Sequence, residues 1–468
     1  MARNSPLNRL NTDVIDNIYI FIADSVRYDF VPDRVTEKGV LFKTAAAGLC
    51  TPQSVSSIVT GRHVPRHGVT WFNDSLDRSI SQLFDLTPNS GYNEVFWTRA
   101  AVQEILNTPG EIELDGVNEP FIALEHDNGG HAPYVGFRDQ SPSQMFSEIP
   151  DTDSLRELYR DTVKGSTDRF EERLALLESQ GLLENTLVIY LSDHGELLGE
   201  HGGFLGHGLP STPEVAYVPT VFIHDSLSSD RADTLIQHVD LFPTIKEIVD
   251  GGNTAIDVDG RSLLGNINED APAYTNGLMR APFKYRDTAV DPCYNAPSIW
   301  TRDGGYVFND TRKYVRPMTA TYDAFVSGYT GSFDGDRHRS VKLLHTFRQY
   351  LASSQSYGDP SLPKTEAREM VNRISEPISR GGAEVTRRRD EKTVGTARIS
   401  INYSKYPNPR SRSSTSSNSS SLVSLAESVA AISYDFFPTG SVVSEVSPAN
   451  ISSRIRPSAA LGIGSPTS

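Results

Sequence analysis

Three short stretches put acids and imidazoles directly after apolar runs. Asp24 follows "NIYIFIA" (17–23), "EHDNGGHAPY" (125–134) overlaps the end of "PFIALE" (120–125), and Asp193-His194 lies in "YLSDHGELLGEHGGFLGHG" (190–208). Carboxylate oxygen beside imidazole nitrogen is a donor set for a divalent cation, which makes Asp24, Asp193 and His194 candidate ligands. Asp24 by itself reads equally well as a helix cap. His126, Asp127 and His131 crowd one loop, where histidines can orient or protonate an anionic group near neutral pH or simply be satisfied surface groups. A fourth stretch, "CTPQSVSSIVTGRH" (50–63), offers Cys50, Thr51 and nearby serines as nucleophiles. Thr51 before Pro52 predicts the N-cap of a helix closed by Gly61. The free N–H groups of that helix end stabilise bound phosphate or sulfate.

The elements that must carry these groups follow from periodicity. The runs at 17–23, 120–125, 186–192 ("TLVIYLS") and 218–224 ("VPTVFIH") are short and rich in β-branched and aromatic residues, as strands buried on both faces require. "DRFEERLALLESQGLL" (168–183) predicts a helix with Phe170, Leu174 and Leu177 on one face and Gly181 near its end. Alternating strands and helices predict an α/β fold, a mostly parallel central sheet flanked by helices, with its site at the carboxyl ends of the strands. Residues 1–265 form the expected catalytic unit. Residues 266–395, with a helical stretch at 339–354, form a smaller C-terminal subdomain. From 396 the chain turns Ser- and Pro-rich, with six bases against three acids, and reads as a disordered tail.

The chain has 468 residues, a formal charge of −15 and two cysteines, Cys50 and Cys293, far apart in sequence. This acidity argues against broad nucleic-acid binding. The cysteine count indicates neither a disulfide framework nor a thiolate metal site. Ten of the 44 basic residues are lysine, and scarce lysine with net acidity hints at a salt-loving source. No run reaches the roughly 18 apolar residues of a membrane span and the first residues carry no apolar signal core, so a cytoplasmic location is expected.

Together the ordered segments "NIYIFIADSVRYD" (17–29), "CTPQSVSSIVTGRHVPRHGV" (50–69), "HDNGGHAPY" (126–134), "GLLENTLVIYLSDHGELLGEHG" (181–202), "HVDLFPTI" (238–245) and "DGRSLL" (259–264) resemble the sulfatase family of the alkaline phosphatase superfamily. The resemblance implies an alkaline-phosphatase-like fold and a metal-dependent hydrolase of sulfate esters. Asp24, Asp193, His194 and Thr51 would hold one divalent cation, and His131 would contact the substrate. The family's Cys or Ser becomes formylglycine in a C/S-x-P-x-R motif, and Cys50 with Pro52 fits in part, but Ser54 stands where arginine is needed. The family nucleophile stands ten residues before the glycine of "TG", which selects Thr51 over Cys50 as nucleophile. Threonine serves that role in phosphotransferase and phosphodiesterase relatives.

No "GKWH" segment is found, and His207 of "FLGHG" stands near the position of a second family lysine. His131 and His207 are thus the candidate acids, and Arg62 and His126 the candidate substrate contacts. Arg27 is expected to brace Asp29. His194 in place of the usual asparagine suits Mn²⁺ or Zn²⁺ better than Ca²⁺, with Ca²⁺ still admitted, since family sulfatases with Asp-His exist, and Mg²⁺ too. The expected partner is a small-molecule or glycan sulfate or phosphate ester, with no nucleic acid and no membrane span. Phosphate-ester hydrolysis, group transfer and non-catalytic anion or metal binding are the alternatives.

Overall fold

The computed structural model describes residues 2–94, 101–108, 110–251, 257–280, 283–285, 288–290, 293–325 and 339–376. Its centre is a seven-stranded sheet built from β1 (Asn17–Ala23), β2 (Val40–Ala45), β3 (Asn89–Glu94), β4 (Phe121–Asp127), β5 (Thr186–Leu191), β6 (Tyr217–Ile223) and β7 (Asp230–Gln237). The spatial order is β7-β2-β6-β5-β1-β4-β3. All neighbouring pairs are parallel except the two made by β6, which runs against β2 and β5.

Burial on both faces, as expected from the sequence, is literal in β1. Ile18, Ile20 and Ile22 pack with Val55, Ile58 and Val59 of α1 (Thr51–Thr60) and with Ile245 of α3 (Leu241–Asp250). Tyr19, Phe21 and Ala23 point the other way, onto Tyr159, Val163, Phe170 and Leu177 of α2 (Thr152–Ser179). Every residue of β1 is buried because helices cover both faces.

Three features depart from the sequence reading. Helix α2 starts at Thr152, capped by Asp151, and not near 168; packing of Tyr159, Val163, Ser166 and Thr167 against the sheet overrides the weak propensity of Gly165-Ser166-Thr167. Strands β2 ("VLFKTA"), β3 ("NSGYNE") and β7 ("DRADTLIQ") were not among the expected runs: β3 and β7 lie at the sheet edges, where polar residues are tolerated, and β2 is interior but carries Lys43 and Thr44 in its apolar run. Thr51 is the first helical residue and Cys50 is the cap. With no cap bond to make, the Thr51 hydroxyl is available elsewhere.

Beyond residue 265, β8 (Ala273–Thr275), β9 (Ser298–Thr301), β10 (Gly304–Phe308) and β11 (Ser354–Gly358) form an antiparallel sheet in that order. The helical stretch expected at 339–354 is α4 (Arg339–Leu351), and α5 (Lys364–Ser375) follows β11. Trp300, Val307 and Tyr350 share a core with Ala45, Leu49, Leu197 and Phe204 of the first part. The expected tail at 396–468 lies outside the described residues.

Register delivers the site. Ile22 of β1 stands opposite His126 of β4 and Leu191 of β5, so the three central strands end level. Gly129 in the following turn has φ +47, and a Cβ there would meet the Asp24 carbonyl oxygen at 2.1 Å. Gly129→Ala is therefore expected to lower the free energy of unfolding by about 2–3 kcal/mol in urea titrations. Gly181→Ala, also at positive φ but with nothing within 4 Å, isolates the backbone cost. Equal losses in the two variants would mean that the close approach beside Asp24 is not a constraint.

Candidate active site

Asp24 continues straight out of β1, and Asp193 and His194 lie just past β5. All three are wholly buried, and their ligand atoms lie within 4.8 Å of one another. His194 Nε2 is 3.6 Å from Asp24 Oδ1 and 3.4 Å from Asp193 Oδ2. Its Nδ1 lies 3.1 Å from the Gly195 carbonyl, an acceptor that fixes the proton on Nδ1 and turns the Nε2 lone pair toward the acids. Helix α1 brings Thr51 Oγ1 to 3.4 Å from the same Nε2.

Two anions and a lone pair facing each other without water are repulsive. Burial and the charge of Asp24 push the Asp193 carboxyl well above the usual range. Burial works the same way on Asp24, but the surrounding imidazoles of His131, His126 and His194 outweigh it and hold that carboxyl low. Burial and the nearby His207 keep His194 neutral. Asp24 Oδ2 and Asp193 Oδ2 are buried without a hydrogen-bond partner. Orphaned carboxylate oxygens beside a neutral imidazole are the chemistry a divalent cation satisfies, so the residues fit the metal expected from the sequence.

Ser25 braces the pair. It sits at φ +61, a left-handed conformation unusual for serine, with its backbone N–H donating to Asp193 Oδ1 at 3.2 Å and its hydroxyl to Asp24 Oδ1 at 2.9 Å. Tyr159 of α2 donates to the Ser25 carbonyl at 2.7 Å and holds that turn from below. Neither Ser25 nor Tyr159 was singled out from the sequence, although adjacency to Asp24 was a signal for the first.

Outside this cluster lie two further imidazoles. His207 stacks on His194 with ring centres 4.2 Å apart, and His131 lies 4.9 Å from His207. His207 Nδ1 meets the buried Glu196 carboxylate at 3.2 Å. Burial opposes charge on His207, but Glu196 more than offsets it and raises the imidazole above its usual range. His131 is lowered, by burial first. Glu196, absent from the sequence-based candidates, also accepts from Tyr134 at 3.2 Å; its place in "DHGE" was the available clue.

The "EHD" triplet is sorted by strand alternation. Glu125 and Asp127 point to the α2 face, where Arg173 and Arg169 bind them. His126 points to the cluster, with Nε2 3.5 Å from Asp24 Oδ2. Arg62, expected at the substrate, is not brought there. It follows the far end of α1, roughly 15 Å along the axis from Thr51, and binds Asp257. Arg27 does brace Asp29, in a two-pronged pair, and also holds Glu200 at 2.7 Å.

Known proteins resemble the chain along much of its length. The sulfatase family model matches residues 100–251. The chain is 33% identical over 339 residues to the low-salt glycan biosynthesis sulfotransferase Agl7 of Haloferax volcanii, covering 69% of this chain and 82% of that protein. It is 26% identical over 143 residues to phosphatidylethanolamine transferase Mcr-1 of Escherichia coli, covering 28% and 26% of the two chains. Among solved structures, a 2-O GAG sulfatase superposes with a TM-score of 0.53 at 13% identity, over 77% of this chain and 93% of its own. These matches and the ordered strand-end residues establish that the chain belongs to the sulfatase family of the alkaline phosphatase superfamily.

Proposed function

We propose that the protein is a metal-dependent enzyme acting on sulfate esters, with Thr51 as nucleophile and hydrolysis as its reaction. The observation that carries this is the convergence of Asp24, Asp193 and His194 on Thr51 Oγ1 at the start of a helix. Cys50, the competing nucleophile, is as buried as Thr51, and burial pushes its thiol up to about 12.

Asp24, Asp193, His194 and Thr51 would hold the cation, which when bound lowers the pKa of the Thr51 hydroxyl and polarises the ester oxygen. With Thr51 already deprotonated, its proton lost to solvent, attack of Oγ on sulfur forms a Thr51–sulfate ester and breaks the bond from sulfur to the substrate's alcohol oxygen. His207, kept protonated by Glu196, supplies the proton that the departing alcohol needs, and His131 stands beside it. Water then attacks sulfur, the Thr51 Oγ–S bond breaks, and the proton lost by water restores His207.

A second reading, transfer, differs only in this last step: a sugar hydroxyl replaces water as the attacking group. The relative named as a glycan sulfotransferase favours it. Among the described residues no helix is long and apolar enough to cross a membrane. A phosphate ester is the remaining substrate class, because both oxyanions are tetrahedral.

Turnover of metal-loaded protein on nitrophenyl sulfate, phosphate monoester and phosphodiester is expected to be highest on the sulfate. Thr51→Ala should lower it by roughly 10³-fold or more, while Cys50→Ser stays near wild type. The reverse pattern in those two variants would discard the threonine nucleophile. Adding sugar acceptors separates the two final steps, since a hydrolase releases free sulfate in full and a transferase loses that release to sulfated sugar.

The thiol environment is tested separately. In a Cys293→Ser background, Cys50 is expected to react with Ellman's reagent at pH 8 only after denaturant is added. Rapid reaction of the native protein would contradict its burial.

A further inference from the structure

We propose that His126 is a fourth protein side chain on the cation, beside Asp24, Asp193 and His194; this rests on the metal-dependent reading above and goes beyond its ligand set. From the sequence, His126 was a substrate contact. In the structure it is wholly buried on the strand next to Asp24, and β4 ends level with β1 and β5.

The two acids are shared between two imidazoles. Asp24 offers Oδ1 to His194 at 3.6 Å and Oδ2 to His126 at 3.5 Å. Asp193 Oδ2 lies 3.4 Å from His194 Nε2 and 4.0 Å from His126 Nε2. Donor atoms bound at about 2.0–2.2 Å to one ion stand roughly 3.0–4.2 Å apart, depending on the angle between them. All four separations fall in that span. The ends of β1, β4 and β5 thus bring both imidazole nitrogens within 4.0 Å of the same two acids.

The far side of the ring supports the same role. His126 Nδ1 meets the Tyr92 hydroxyl at 2.6 Å, and that hydroxyl lies 3.4 Å from Glu94 Oε1. A chain from Nδ1–H to the tyrosine oxygen, and from the tyrosine O–H to the carboxylate, leaves the Nε2 lone pair aimed at Asp24 and Asp193. Such outer partners orient metal-ligating histidines. A lone pair directed at two carboxylates is favourable only with a cation between them. In the other tautomer Nε2–H would donate to Asp24, and His126 would compete with the ion for that carboxylate.

A second imidazole also changes which ion the site prefers. Two carboxylates, two imidazoles and a hydroxyl suit Zn²⁺ or Mn²⁺, whereas Ca²⁺ prefers oxygen donors throughout.

The test is metal binding by the full-length chain after chelator treatment, with zinc affinity from competition against a chromophoric chelator. Wild type should bind zinc, Asp193→Ala should lose it, and His126→Gln should weaken it by about 100-fold with an unchanged circular dichroism spectrum. Zinc-edge X-ray absorption of the wild-type holoprotein should show scattering from two imidazoles, a readout that does not depend on any variant folding. Zinc affinity in His126→Gln equal to or tighter than wild type, or a single imidazole at the zinc edge, overturns the assignment while leaving the Asp193-dependent site standing. Wild type that takes up calcium or magnesium but neither zinc nor manganese overturns this assignment, and wild type that takes up none of the four overturns the metal-dependent reading as well.

Discussion

Two carboxylates forced together out of water are the constraint around which the rest of this molecule is arranged. Asp24 and Asp193 emerge from adjacent parallel strands whose ends are level, so neither can retreat from the other without breaking the register of the central sheet. The repulsion is offset by imidazoles and by the serine that bonds both acids, and each orphaned oxygen leaves affinity for a cation. Stability is exchanged for a preorganised charge, as functional sites commonly require.

The sheet is the instrument of that arrangement. Its double covering by helices makes β1 rigid along its whole length, and the turn after β4 is pressed so tightly against Asp24 that a glycine is needed there. Helix α1 enters from the same edge and, with Cys50 rather than Thr51 as its cap, frees the threonine hydroxyl to face the acids. Positioning therefore comes from backbone elements whose cores are large, and the reactive groups sit where those elements stop.

Around the cluster the imidazoles divide by depth. His194 and His126 lie at the floor, each with a partner for Nδ1, a carbonyl in one case and a tyrosine hydroxyl in the other. His131 and His207 lie further out and are partly exposed, where a substrate can reach them. The buried Glu196 beside His207 opposes the burial that would otherwise strip its proton. One residue type thus offers candidate ligands and a candidate proton donor, according to what touches the second ring nitrogen.

The sequence by itself determined the buried parallel strands, the acids and histidine that end them, and the helix opening at Thr51, because periodicity and strand-end position are local properties of the chain. It left Cys50 and Thr51 adjacent and chemically comparable; only the fold shows one of them facing His194. Arg62 reads as a free charge in sequence, yet its partner Asp257 is almost two hundred residues away and holds it at the wrong end of the helix. His126 and Asp127 read alike in "EHD", and the face each occupies depends on which helix covers which side of β4. Tyr92, Tyr159 and Glu196 carried little or no local signal. Their roles exist only through contacts that strand register and helix packing create, and pairings across long sequence separations are decided by the tertiary structure alone.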